Sequence, residues 1–108
     1  MASGFGDMES LLKQAQDMQR RMQETTQSLS ERTLEGSSGG GVVKAYVNGN
    51  QELLSIKIDK AAVDPEDVET LEDLVTTALR QAMTAAKQLR DQETSKVTGG
   101  MNLPGMGF

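Results

Sequence analysis

The chain has 108 residues, no cysteine, no histidine and a formal net charge of −5. Disulfides and thiolate metal sites are excluded, as is any chemistry that needs an imidazole base or ligand. Hydrophobic residues are 36% and aromatics 3%, so one small domain with a modest core is expected, steadied by a second copy of itself.

MASGFGDMES has neither a basic nor an apolar leader segment, and no run approaches the roughly 18 apolar residues of a membrane span. A soluble, cytoplasmic protein without a membrane partner is expected. Asp7 reads as N-cap of a helix over about residues 8–30. Along it, Met8, Leu11, Ala15, Met18, Met22, Thr25 and Leu29 recur at steps of three and four. That is a heptad seam, expected to pack on the matching seam of a second helix.

GSSGGG, residues 36–41, ends that helix and reads as a flexible connector. Beyond it, Val43, Ala45 and Val47 alternate with polar residues, as do Leu54, Ile56 and Ile58. Asn48-Gly49 between the runs marks an antiparallel hairpin, because both residues tolerate the positive φ of such a turn. Residues 33–36 leave a third short strand open. All strands are expected within about 33–59.

Asp64 reads as the cap of the last helix, with Pro65 at its first position. Its seam is Val68, Leu71, Val75, Ala78, Ala82, Ala85 and Leu89. Leu74 and Leu79 widen the stripe early, where the helix is expected to lie on the sheet. The later alanines are expected where it has left the sheet. The class is therefore α+β: long helix, small antiparallel sheet of two or three strands, long helix over about 65–93. One domain over 1–98 is followed by a glycine-rich tail, 99–108, expected to be flexible. A sheet this small is marginal alone, and two sheets joined by a dimer would form a more adequate core.

No motif carries covalent chemistry. The glycines precede a strand and lack the Gly-Lys-Ser/Thr of a phosphate loop. The carboxylates of DPEDVETLED suit a helix N-terminus through the dipole. A paired-carboxylate site, by contrast, draws on separate elements. No enzyme, cofactor, metal site or small-molecule substrate is expected. The seam methionines read as core, with a Met-lined groove for a partner helix as the alternative.

The basic residues form rows. Lys13 and Arg20 share the heptad position opposite the seam, with Arg21 beside them and Gln16 and Gln23 on the flank. Arg80 and Lys87 share that position on the second helix, with Arg90 on its flank. Asp17 and Glu24 dilute the first row. Taken alone, such rows read as solvated faces. The functional alternative is a pair of polar arms that contact phosphates, without aromatic stacking.

Four stretches together resemble the YbaB/EbfC family of bacterial nucleoid-associated proteins. FGDMESLLKQAQDMQRRMQE is similar to the family's opening helix, and LEGSSGGGVVKAYVNGN to its glycine-rich segment and hairpin. SIKIDKAAVDPEDVETLEDLV resembles its stretch into the last helix, and TGGMNLPGMGF its tail. Two departures stand out: Ile58-Asp59-Lys60 lacks the family's proline, and Ala61 to Asp64 is less acidic than is common. The resemblance implies a tweezer-like homodimer, located at the nucleoid, that binds double-stranded DNA through its helical arms with little sequence preference. By position it implicates Lys13, Gln16, Arg20, Arg21, Lys87 and Arg90. The net acidic charge suggests weak, salt-sensitive binding. A coiled-coil adapter or small chaperone that clasps a protein helix is the alternative from the Met/Ala seam.

Overall fold

Alternation along the middle of the chain becomes a three-stranded antiparallel sheet, ordered β1-β2-β3, in the computed structural model, which describes residues 3–99. Of residues 3–6 only the backbone is described. The expected tail, after Gly99, lies outside the described residues. The elements are α1 (Ser3–Ser30), β1 (Thr33–Ser38), β2 (Val43–Asn48), β3 (Leu53–Ile58) and α2 (Val68–Thr98). The α+β order matches expectation, and residues 33–38 are a full strand rather than part of a loose connector. Only Gly39, Gly40 and Gly41 form the turn into β2, all three with positive φ.

Val43, Ala45 and Val47 point to one face and are completely buried. α2 lies across that face over β1 and β2, with Ala78, Ala82 and Ala86 against it. Leu34, Leu71, Leu74, Val75, Leu79 and Met83 ring this small core. Leu74 and Leu79 border the core as expected, but the later alanines, expected where α2 has left the sheet, are buried against it. Small side chains are needed there because Gly36 of β1 meets the helix backbone directly. A Cβ on Gly36 would overlap the carbonyl oxygen of Ala78 and come within 2.6 Å of the Ala82 nitrogen. Ala86 also replaces Ala85 in the buried row, Ala85 being half-buried.

β1 and β3 are the two edge strands. The register of β3 places Ile58 opposite Val43, Ile56 opposite Ala45 and Leu53 opposite Val47, with a shift beside Tyr46. α2 does not reach across β3. Leu53, Leu54 and Ile58 remain 49%, 53% and 42% exposed.

Three local expectations change. Asp7 lies inside α1 instead of capping it. α2 is capped by Asp67, whose side chain accepts from the Thr70 amide, while Asp64 caps the preceding turn through the Glu66 amide. In the hairpin the positive φ falls on Gln51, not on Gly49. The Gln51 amide donates to the Asn48 carbonyl at 3.0 Å, and the Asn48 Oδ1 accepts from the Asn50 and Glu52 amides. This is a tight turn followed by one left-handed residue. Gly49 serves another need: its amide donates to the Leu29 carbonyl at 2.9 Å, and a Cβ would lie 2.8 Å from the Leu29 side chain.

Leu29 therefore anchors α1 at the hairpin end of the sheet, 2% exposed. From there α1 runs away from the core. The last turns of α2, at Glu93, Lys96 and Val97, lie beside Arg21, Glu24, Thr25 and Ser28. The radius of gyration is 21.0 Å and the long dimension 79 Å, against about 13 Å for the radius of a compact 100-residue domain. The chain is a small sheet with a long arm.

Candidate nucleic-acid interface

Helix propensity shapes the arm. Residues 11–24 contain no Gly or Pro and are rich in Leu, Gln, Met, Lys, Arg and Glu, all good helix formers. The seam fades outward. Leu29 is buried, Thr25, Met22 and Met18 are half-buried, and everything from Asp7 to Asp17 is exposed. The expectation that the α1 seam packs on α2 along its length is corrected, because α2 ends level with about Arg21. Among the described residues, the outer arm is α1 alone.

All six candidate side chains are exposed. Lys13 and Gln16 line one shallow groove of about 450 Å³ with Glu9, Ser10 and Leu12. Arg20 follows one heptad after Lys13. It is held by Asp17 at 3.2 Å and Glu24 at 3.9 Å, with 64% of its side chain still exposed. Exposed pairs of this kind are worth little, so both carboxylates can yield Arg20 to a stronger anion.

Arg21 lies elsewhere. It joins Glu24, Thr25 and Ser28 of α1 and Glu93, Lys96 and Val97 of α2 around a cleft of about 270 Å³. Lys96, which pairs with Glu93 at 3.2 Å, thus belongs beside Arg21. The heptad row did not place it there, because only the antiparallel pairing of the two helices does. Lys87 and Arg90 lie on the exposed side of α2, one turn apart. The structure gathers Lys13, Gln16 and Arg20 along α1, and Arg21 with Lys96 at the helix pair. It does not join the α2 residues to the α1 row.

The face of the sheet away from α2 carries a second polar group. Lys44 pairs with Glu35 at 3.6 Å, Tyr46 donates to Glu35 at 3.1 Å, and Lys57 sits 5.8 Å from the Tyr46 ring centre. These side chains satisfy one another. No group of three or more acidic, His or Cys residues suited to a metal ion occurs among the described residues. No described helix is long and apolar enough to cross a membrane.

The YbaB/EbfC DNA-binding family model matches residues 4–101. A nucleoid-associated protein of Caldanaerobacter subterraneus subsp. tengcongensis is 48% identical over 103 residues, covering 95% of this chain and 92% of the relative. Another, of Moorella thermoacetica, is 49% identical over 102 residues, covering 94% and 98%. An uncharacterized protein of Helicobacter pylori, known from its crystal structure, superposes with a TM-score of 0.63 at 24% identity, over 72% of this chain and 90% of that one. It shares the fold.

Proposed function

Because the chain belongs to the YbaB/EbfC DNA-binding family, we propose that it is a non-enzymatic nucleoid-associated protein whose arms grip double-stranded DNA as a homodimer. The observation that carries the arm reading is the exposed α1 row of Lys13, Gln16 and Arg20, standing on a helix free of the core. A rigid helix about 42 Å long can follow a DNA backbone over several phosphates. Arg, Lys and Gln donate to phosphate oxygens, and nothing on the row stacks on bases. Binding is then indifferent to sequence and sensitive to salt. Arg21 extends the contact toward α2, and Lys87 and Arg90 extend it along α2.

The homodimer reading rests on β3. Leu53, Leu54 and Ile58 leave large apolar side chains exposed at the sheet edge, and Val63 and Val68, which follow in sequence, are exposed as well. A second copy laid on that edge removes these side chains from water and doubles the core. The outer turns of α1, which run away from the core, remain free of it. The protein acts in the cytoplasm, at the nucleoid, in DNA organisation and gene regulation.

The test is a mobility shift at two salt concentrations. With about four to six phosphates neutralised per dimer, log affinity falls against log salt with a slope of roughly −4 to −5. Lys13→Ala, Arg20→Ala and Arg21→Ala combined should abolish the shift at the higher salt and flatten the slope. An unchanged shift in the triple variant removes the arms as the contact. No shift by the parent protein at low salt removes DNA as the partner. Light scattering of Leu54→Lys with Ile58→Lys checks the dimer: the parent should have twice the mass of the variant.

A further inference from the structure

Beyond the sheet the two helices enclose a cleft of about 270 Å³, lined by Arg21, Glu24, Thr25 and Ser28 of α1 and by Glu93 and Lys96 of α2. Both of its carboxylates already face a cation. Glu24 lies 3.9 Å from Arg20, and Glu93 lies 3.2 Å from Lys96. Among the described residues no carboxylate stands within ion-pair distance of Arg21. The Arg21 guanidinium is therefore the surplus charge of the cleft.

We propose that this cleft seats one phosphate of the DNA backbone, held by Arg21 from α1 and Lys96 from α2 together. The inference rests on the arm reading above and adds to it a second helix at a single phosphate. Three observations carry it. The first is the surplus cation. A guanidinium offers two parallel donors to two phosphate oxygens, and those of Arg21 have no competing carboxylate beside them. The second is the weakness of the pair that holds Lys96. Its side chain is 72% exposed and that of Glu93 29%, and a pair with one end in water contributes little. Lys96 can therefore leave Glu93 for a stronger anion. The third is the rest of the lining. Thr25 and Ser28 present hydroxyls, which donate to phosphate oxygens without adding charge.

The seat also continues the row on α1, since Arg21 follows Arg20 directly and lies about 12 Å along the helix from Lys13. A phosphate there bonds to both helices where α1 parts from α2, so binding braces the root of the arm. Neither helix supplies both cations by itself.

The test is a pair of double-variant cycles, read by fluorescence anisotropy with a short duplex over a range of salt. Arg21→Gln and Lys96→Gln keep good helix formers at exposed positions. Each should weaken binding by at least about threefold at low salt, one charge-assisted contact discounted for exposure. Combined, they should lose less than the product of the single losses, by about threefold or more, because both act on one phosphate. The double variant should flatten the salt slope by about one per seat instead of two. Lys13→Gln with Lys96→Gln, at separate places, should multiply to within about twofold. Lys60→Gln is the control for net charge. It makes the same change in the short turn before α2, at the other end of that helix, and should leave affinity unchanged.

Lys96→Gln no weaker than Lys60→Gln overturns the seat, with the arm reading intact if the parent binds. Losses of Arg21→Gln and Lys96→Gln that simply multiply also overturn it, since they then mark two separate contacts. No binding by the parent removes the arm reading, and the seat with it.

Discussion

Gly36 and Ala78 face each other across a gap that admits no side-chain carbon. A Cβ on Gly36 would overlap the Ala78 carbonyl oxygen and approach the Ala82 nitrogen to 2.6 Å. The obstacle is helix backbone, which cannot rotate aside as a side chain can. Ser37 and Ser38 lock the same edge: the Ser37 amide donates to Gln81 Oε1 at 2.8 Å and the Ser38 hydroxyl donates to the Leu74 carbonyl at 2.6 Å. Gly36→Ala must therefore push α2 off β1 or break these bonds. A loss of about 3 kcal/mol or more is expected, read as a lower midpoint in urea unfolding. Ala78→Gly, which adds no atoms, should be much milder, costing about 1 kcal/mol through helix propensity.

That contact shows where sequence patterns stop. Periods of two and of three-to-four found the hairpin and both helices, because each reports one element's own buried face. They could not show that the alanines of α2 meet a glycine 42 positions earlier. That pairing is a property of two elements together. Gly49 is similar. Asn48-Gly49 marked the turn correctly, yet the glycine is there to admit Leu29, and Gln51 takes the left-handed conformation. The heptad rows likewise located Lys13, Arg20 and Arg21 on exposed faces. They could not show that α2 ends beside Arg21 and brings Lys96 to it. Nor could they show that, among the described residues, no element meets the seam of α1 beyond that point.

Asp67 gives a pH dependence. Its carboxylate accepts from the Thr70 hydroxyl at 2.6 Å and from the Thr70 amide at 3.2 Å. The hydroxyl bond first, and the amide bond second, hold its pKa below the ordinary 3.8. A carboxyl depressed in the folded state contributes stability above its unfolded pKa, and that contribution is lost as pH falls through the folded one. Asp67→Asn keeps a capping oxygen but cannot titrate. Thermal unfolding should show the variant less stable than the parent at neutral pH. The gap should close below about pH 4. A gap that stays constant across that range would assign the difference to geometry instead of charge.

Tyr46 can be followed directly, because it is the single tyrosine in a chain without tryptophan. Its hydroxyl donates to Glu35, and that bond, followed by desolvation and the Glu35 charge, raises its pKa above 10.0. Phenolate absorbance of the folded protein should therefore reach its midpoint above pH 10, and Glu35→Ala should lower that midpoint. A phenol raised in the folded state lends stability below its unfolded pKa and withdraws it as pH climbs through the folded one. Alkaline unfolding should accordingly begin earlier in Glu35→Ala. Equal midpoints in parent and variant would place the Tyr46 hydroxyl in water.

Arg20 yields the sharpest prediction about DNA. It is flanked on α1 by Asp17 and Glu24, which occupy its donors in the free protein and repel a phosphate approaching it. Asp17→Asn with Glu24→Gln keeps the helix propensity close to the original and raises the net charge from −5 to −3. If the arm reading holds, affinity should rise, by about threefold to tenfold at low salt, the scale of releasing one or two exposed pairs. The gain should shrink as salt increases, since the same ions screen both the carboxylates and the phosphates. Adding Arg20→Ala to the double variant should remove most of the gain, because the freed donors are then absent. Fluorescence anisotropy with a short duplex measures all three proteins under one set of conditions. If the gain survives Arg20→Ala in full, it comes from net charge alone, and Arg20 does not touch the backbone.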